Sequence, residues 1–328
     1  MFNKIPISLL IDDSCPLVHC LYHSPEVGRN ERGEAINREG VPFAKVIPNN
    51  FLDDFCEIAN KHKMAGKLSI VPMPEMQGDI INGINGYDPS LVLEWIETVK
   101  KRLSDRFDFS PEILTHSNAL DLQTGKFIDL DEMTWSFTQD RSTLTPYIAK
   151  ALQLLKAAGI NANGVTSPWA FGIKVEQEYA AAITAAQKQV NNRSLSWYFL
   201  HCWDDKPESR PWIAYRDHDG VLVSIPSTVE DIVWETSDCT RTDDEYLCSL
   251  ADRYISEDGT AGAIIRVLQA GGWPALCTHW QSLFSNGLET GLKVLDIVGA
   301  RVNTYLCDRV VWKSSMEIAS MVGEEAHC

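Results

Sequence analysis

Four short strings place ionisable or aromatic residues where an apolar run gives way to a loop: Ile11-Asp12-Asp13, Thr115-His116-Ser117, Ser167-Pro168-Trp169 and Thr278-His279-Trp280. An adjacent carboxylate pair such as Asp12-Asp13 can split its roles, one member binding a metal and the other acting as a base. The same pair can also merely cap a turn. His116 is a competent ligand for zinc or a similar divalent ion, and so is Asp121 five residues further on. His19 and His23 are spaced i, i+4 and so share a helical face. His23, beside polar Ser24, is the better candidate of the two. His279 closes a late strand and can serve as a general acid near neutral pH. Trp169 and Trp280 can offer stacking faces to a sugar, although tryptophan is equally at home in a core. Glu75, just after the second strand, is the carboxylate best placed to pair with Asp12 or Asp13 in glycosidase chemistry. Glu176 and Glu178 fall inside a helical stretch, which suits a solvated face.

These residues need elements that bring them together. Ile5–Ile11 is nearly continuous in apolar residues, as expected for a strand buried on both faces. Further strands are expected at Lys67–Val71, Glu112–Thr115, Gly164–Thr166, Ser196–His201, Leu222–Pro226 and Ala275–Thr278, with an eighth candidate at Val310–Lys313. Helical patterns alternate with them. The one from 51 to 62 carries an apolar stripe, and the one after Asp88-Pro89 has an N-cap with proline in its first turn. Thr145-Pro146 reads as the start of another helix. Regular strand–helix alternation, with no linker rich in proline, glycine and serine, predicts one domain over residues 1–328 with parallel strands. In a barrel of that kind, strand carboxyl ends converge on one face, where chemistry is done. The long loops at 24–50, 72–88, 117–143 and 203–220 follow strands and are expected to gather over that face.

Composition narrows the classes. The chain has 328 residues, 45% hydrophobic and 23% charged, which is ordinary for a globular protein. Its 29 basic and 45 acidic residues leave a net charge of −16, with no basic cluster, which argues against nucleic acid and anionic membranes as partners. No stretch is apolar for long enough to span a bilayer. Nine cysteines form no CxxC pair, so a reduced, cytoplasmic protein is expected. A P-loop, GxSxG, HExxH and a strand-linked GxGxxG are all absent.

The ordered strings resemble the polysaccharide deacetylase superfamily of glycoside hydrolase/deacetylase barrels, in a divergent branch. Leu10-Ile11-Asp12-Asp13 matches that family's first motif, Lys67-Leu68-Ser69-Ile70-Val71 loosely its second strand, His116-Ser117 the first half of its histidine motif, Ser167-Pro168-Trp169 its proline-aromatic motif, and His279 its last. The resemblance implies an α/β fold with a distorted (β/α)7–8 barrel. It implies Asp12 as base, His279 as acid, and a divalent metal, zinc first, on Asp13 and His116. Two positions depart from the pattern. Leu120 stands where a second metal histidine belongs, so Asp121 or His23 would have to replace it, and Thr166 stands near the place of an arginine. The expected function is a metal-dependent hydrolase on a carbohydrate, most simply an N- or O-deacetylase. A glycoside hydrolase and a metal-free carbohydrate-binding pseudoenzyme are the alternatives.

Overall fold

The protein is described by a computed structural model over residues 4–325. Seven parallel strands frame it: β1 (Ile5–Ser14), β2 (Gly66–Ile70), β3 (Phe107–Pro111), β4 (Gly164–Thr166), β5 (Leu195–Phe199), β6 (Val221–Ser224) and β7 (Ala275–His279). Hydrogen bonding joins them in two sheets, β7-β1-β2-β3 and β4-β5-β6. Two short seams connect the sheets into a ring. At one, Glu112 bridges Thr166, the Asn163 amide donates to the Phe109 carbonyl at 3.0 Å, and the Ile113 amide donates to the Thr166 carbonyl at 3.1 Å. At the other, Val229, just beyond β6, bridges Leu276 of β7, and the Cys277 amide donates to the Val229 carbonyl at 2.9 Å. The architecture is therefore a distorted barrel of seven parallel strands. The eighth candidate, at Val310–Trp312, lies outside the ring: it pairs with Ile5–Ile7 at the start of β1, whereas β7 pairs with Ser8–Asp12 above it.

β1 and β2 are buried along almost their whole length, as parallel strands covered on both faces must be. Gly66 lets them meet: a Cβ there would lie 1.8 Å from the Leu9 carbonyl oxygen. The third strand lies upstream of its expected position. Phe107-Asp-Phe-Ser-Pro111 forms it, and Glu112 adds only the bridge that starts the seam. Its polar Asp108 and Ser110 and its terminal proline hid it from an apolar-run reading. The helix expected to open at Thr145-Pro146 instead begins at Arg141, because the Asp140 carboxylate accepts from the Thr143 amide at 3.0 Å and caps it. The Asp88 cap and Pro89 start are as expected.

Trp280 is not at the mouth. The chain turns inward after His279 into the short helix Trp280–Phe284, and the indole is fully buried, with ring centroids 4.7 Å from Phe51, 5.5 Å from Phe55 and 6.4 Å from Trp95. A stacking face for a sugar is therefore ruled out at this position. Truncation of a buried aromatic leaves a cavity that its neighbours cannot fill. Trp280→Ala is expected to lower the unfolding free energy by about 3–5 kcal/mol in urea titrations; a change under about 1 kcal/mol would contradict this packing.

Candidate active site

A β-bulge lets two neighbouring aspartates face one cavity. β1 and β2 pair in register up to Ile11–Leu68 and again at Ser14–Ile70, so Asp12 and Asp13 share one position of slack. Asp13 takes up that slack in the left-handed region, at φ 57°. Bulges of this kind re-aim side chains beside active sites. Three more residues around the cavity share the rare backbone state: Glu75 (φ 49°), His116 (φ 54°) and Trp169 (φ 49°). Such conformations persist only where surrounding bonds over-determine them.

Buried carboxylates supply those bonds. Glu112 Oε2 accepts from the Asp13 amide at 2.7 Å and from the Ser69 hydroxyl at 2.5 Å. Glu132, fully buried in a short helix, accepts from the Thr115 amide at 3.0 Å, the His116 amide at 2.9 Å and the Tyr147 hydroxyl at 2.7 Å. The Glu75 amide donates to the Thr115 carbonyl at 2.9 Å. The imidazole of His116 is thus fixed from its backbone. Its Nε2 lies 2.9 Å from Asp13 Oδ1 and 3.8 Å from Glu112 Oε1, and its Nδ1 lies 3.4 Å from Glu75 Oε1. The Trp169 ring lies 4.5 Å from the imidazole at 34° and is 47% exposed, so its outer face is open at the mouth.

Protonation follows from this crowding. Burial alone would lower the pKa of His116, but the Asp13 charge and hydrogen bond, with help from Glu75, push it well above the ordinary range. Asp13 is raised by burial and more than offset by His116, so it lies below the usual carboxylate range. Burial and the charges of Asp13 and Asp12 push Glu112 up to about 8. Burial raises Glu132 to about 7 against its three hydrogen bonds.

Across the cavity stands a second acid–base pair. His279 Nδ1 lies 2.7 Å from Asp231 Oδ2, which also accepts from the His279 amide at 3.1 Å and from the Ser282 hydroxyl at 2.7 Å. This bond sets the tautomer and leaves Nε2 free. Burial is opposed by the Asp231 hydrogen bond and by the Asp13 and Asp231 charges, and His279 ends at about 10. Between the two pairs, Asp12 is salt-bridged through Oδ1 to the fully buried Lys67 ammonium. Lys67 also donates to the Ile11 carbonyl at 3.2 Å and to Thr166 Oγ1 at 3.1 Å. A cation therefore reaches Asp12 from β2, at the place where Thr166 of β4 offers none.

The sequence-derived candidates divide accordingly. Asp12, Asp13, Glu75, His116, Trp169 and His279 line one cavity of about 360 Å3. Asp121 does not join them: it caps its own hairpin turn, accepting from the Gln123 amide at 2.8 Å and Thr124 Oγ1 at 2.8 Å. His23 is turned to Tyr87, with its Nε2 2.8 Å from the phenol oxygen, and does not line the cavity. Neither stands beside Asp13 and His116. Glu112 is the residue that stands beside the pair instead: Asp13, Glu112 and His116 each offer a donor atom within 4.8 Å of the others. Two atoms each bound about 2.1 Å from one ion at octahedral or tetrahedral angles lie about 3.0–3.4 Å apart, and the 2.9 and 3.8 Å separations bracket that range. One imidazole and two carboxylates, crowded until one carboxyl holds its proton, fit a divalent cation. An acid lodged between Pro111 and the apolar pair Ile113-Leu114 was the one available sign of Glu112; Glu132 and Asp231 carried none.

No family model matches the sequence, and no curated protein matches it significantly. Among solved structures, a Mycobacterium smegmatis protein described as a polysaccharide deacetylase aligns at 15% identity and TM-score 0.48, over 84% of this chain and 78% of its own. A CE4 family pseudoenzyme from Bacillus anthracis aligns at 12% identity and TM-score 0.39, over 97% of this chain and 66% of its own. A Parabacteroides distasonis protein described as a glycoside hydrolase/deacetylase aligns at 10% identity and TM-score 0.48, over 97% of this chain and 71% of its own. The chain is thus similar to proteins of the polysaccharide deacetylase type, and neither activity nor metal content transfers at these levels.

The sign of the Glu112 shift makes a prediction for the metal-free protein. Its folded pKa, about 8, lies above its ordinary value of 4.5. The stability it contributes is therefore full below about 4.5 and lost as pH rises through about 8. Melting temperature measured after chelation should fall across that window more steeply for the wild type than for Glu112→Gln; parallel curves would contradict the burial of an acid beside Asp13.

Proposed function

We propose that the chain is a divalent-metal-assisted hydrolase that removes an N- or O-acyl group from a carbohydrate. One observation carries this reading: the Asp13–Glu112–His116 donor set and an Asp231-oriented histidine line the same cavity, with the Asp12–Lys67 pair between them. Asp13, Glu112 and His116 are the residues that would hold the metal, zinc or a similar divalent ion. A cation held there supplies Lewis-acid charge for a carbonyl oxygen.

The remaining groups belong to the protein. Lys67 occupies Oδ1 of Asp12, so Oδ2, which takes only a long contact from the Cys277 thiol at 3.7 Å, is the oxygen that accepts a proton from an attacking water. As the water oxygen bonds to the acyl carbon, the bond to the sugar nitrogen or oxygen breaks. His279 Nε2 gives its proton to that leaving atom. With its pKa raised to about 10, His279 carries the proton at neutral pH. The carbohydrate assignment rests on the open face of Trp169 beside polar groups, the form in which sugars are stacked.

Metal analysis of protein purified without chelator, together with acetate release from acetylated oligosaccharides, tests this reading. The wild type should hold a stoichiometric divalent ion and His116→Ala should lose it. His279→Gln should keep the metal while turnover falls about 10²–10⁴-fold. Asp231→Asn should move the alkaline limb of the rate profile to lower pH, because the acid form of His279 loses its partner. Absence of both metal and acetate release, with oligosaccharide binding retained, would instead make the protein a sugar binder.

His279 also bears structural load that its place at a strand end did not announce. His279→Ala leaves the buried Asp231 carboxylate without its imidazole partner, which typically costs about 1–3 kcal/mol. Gln is therefore the cleaner probe of chemistry.

A further inference from the structure

The wall of the cavity opposite the Asp13–His116 pair carries groups that the proposed hydrolysis leaves unused. Cys277, the third residue of β7, is buried and lies two residues before His279. Its Sγ donates to Asp12 Oδ2 at 3.7 Å. Cys202, just beyond β5, is exposed, and its thiol lies near enough to that of Cys277 for the two to interact. Both line the cavity together with Asp12 and His279. Asp12, Cys277 and His279 each present a donor atom within 4.8 Å of the others.

We infer that Cys277, Cys202, His279 and Asp12 form a second cation site, selective for a thiophilic divalent ion such as zinc or cadmium. Three features of the geometry favour it. A sulfur about 2.3 Å and an oxygen about 2.1 Å from one tetrahedral ion lie about 3.6 Å apart, and Cys277 Sγ stands 3.7 Å from Asp12 Oδ2. The Lys67 ammonium takes Oδ1 of Asp12 and leaves the oxygen that faces the thiol. Asp231 binds His279 Nδ1, which is how a carboxylate orients a metal-ligating imidazole while Nε2 remains for the ion. The two ends of the cavity then differ in kind. Asp13, Glu112 and His116 offer hard oxygen and imidazole donors, whereas this wall offers sulfur, and soft ligands select soft ions. An ion on this wall denies Asp12 and His279 to a substrate, a consequence that rests on the hydrolase reading; the binding itself does not.

Titration of the reduced, metal-free full-length chain with cadmium, followed by its thiolate-to-metal ultraviolet band, reads the site without turnover. The band should saturate in the wild type and be lost in both Cys202→Ser and Cys277→Ser. Cys202 is at the surface, so its variant keeps the fold. Asp231→Asn should weaken cadmium binding about 10–100-fold. His116→Ala and Cys20→Ser should leave the band unchanged; Cys20 is the decisive control, because its Sγ lies 3.2 Å from Cys15 Sγ on the other side of the cavity. A band that survives both Cys202→Ser and Cys277→Ser, or that disappears with Cys20→Ser, would overturn the assignment. Acetate release in the absence of cadmium reports separately on the hydrolase reading.

Discussion

The contact between Asp13 and His116, with Glu112 beneath it, is the interaction on which the mouth of this barrel depends. Both residues hold backbone conformations that L-residues adopt rarely, at a cost of about 1–3 kcal/mol each. Glu112 secures one of them through the Asp13 amide, and Glu132 secures the other through the Thr115 and His116 amides. These acids are fully or nearly fully buried. A buried acid bonded to backbone amides is costly to remove, because its partners are then left unsatisfied. The strained positions are thereby locked, and the donor atoms of Asp13 and His116 stay within reach of one ion. Rigid presentation of this kind is what a set of ligands for one ion requires.

Charge balance in the cavity follows from the same contact. Asp12, Asp13, Glu75 and Glu112 converge on three cationic side chains, Lys67, His116 and His279. Glu112 holds its proton at neutral pH, since burial and two aspartates oppose its ionisation. A divalent cation would displace that proton and take over its role, so binding should release protons and tighten as pH rises. Lys67 settles the other half of the balance. With Thr166 on β4 lacking a charge, the Lys67 ammonium reaches Asp12 on the neighbouring strand β1 and is satisfied there by the Ile11 carbonyl and the Thr166 hydroxyl.

Much of this was legible in the residues, for identifiable reasons. Asp12, Asp13, Glu75, His116, Trp169 and His279 sit at or just beyond strand ends, and a parallel barrel converts that one-dimensional regularity into a shared cavity. The bulge that turns both aspartates inward was not legible, because register depends on the partner strand. Glu112 opens an apolar run that looks like a strand, although the ladder stops at Pro111. Asp121 and His23 have the side chains of metal ligands and lie near His116 or Asp13 in the chain, yet a hairpin turn consumes one and Tyr87 the other. Trp280 follows a catalytic candidate directly, and the helix that begins there turns it into the core. Glu132 and Asp231 orient His116 and His279 across separations of 16 and 48 residues, which no local pattern encodes.

Anomalous diffraction from crystals grown with zinc and without chelator tests the central assignment most directly. The metal-assisted reading predicts an anomalous peak at the mouth, within about 2.0–2.2 Å of Asp13, Glu112 and His116. A map with no peak among these three residues, at full zinc saturation and with their side chains still in direct contact, would contradict it.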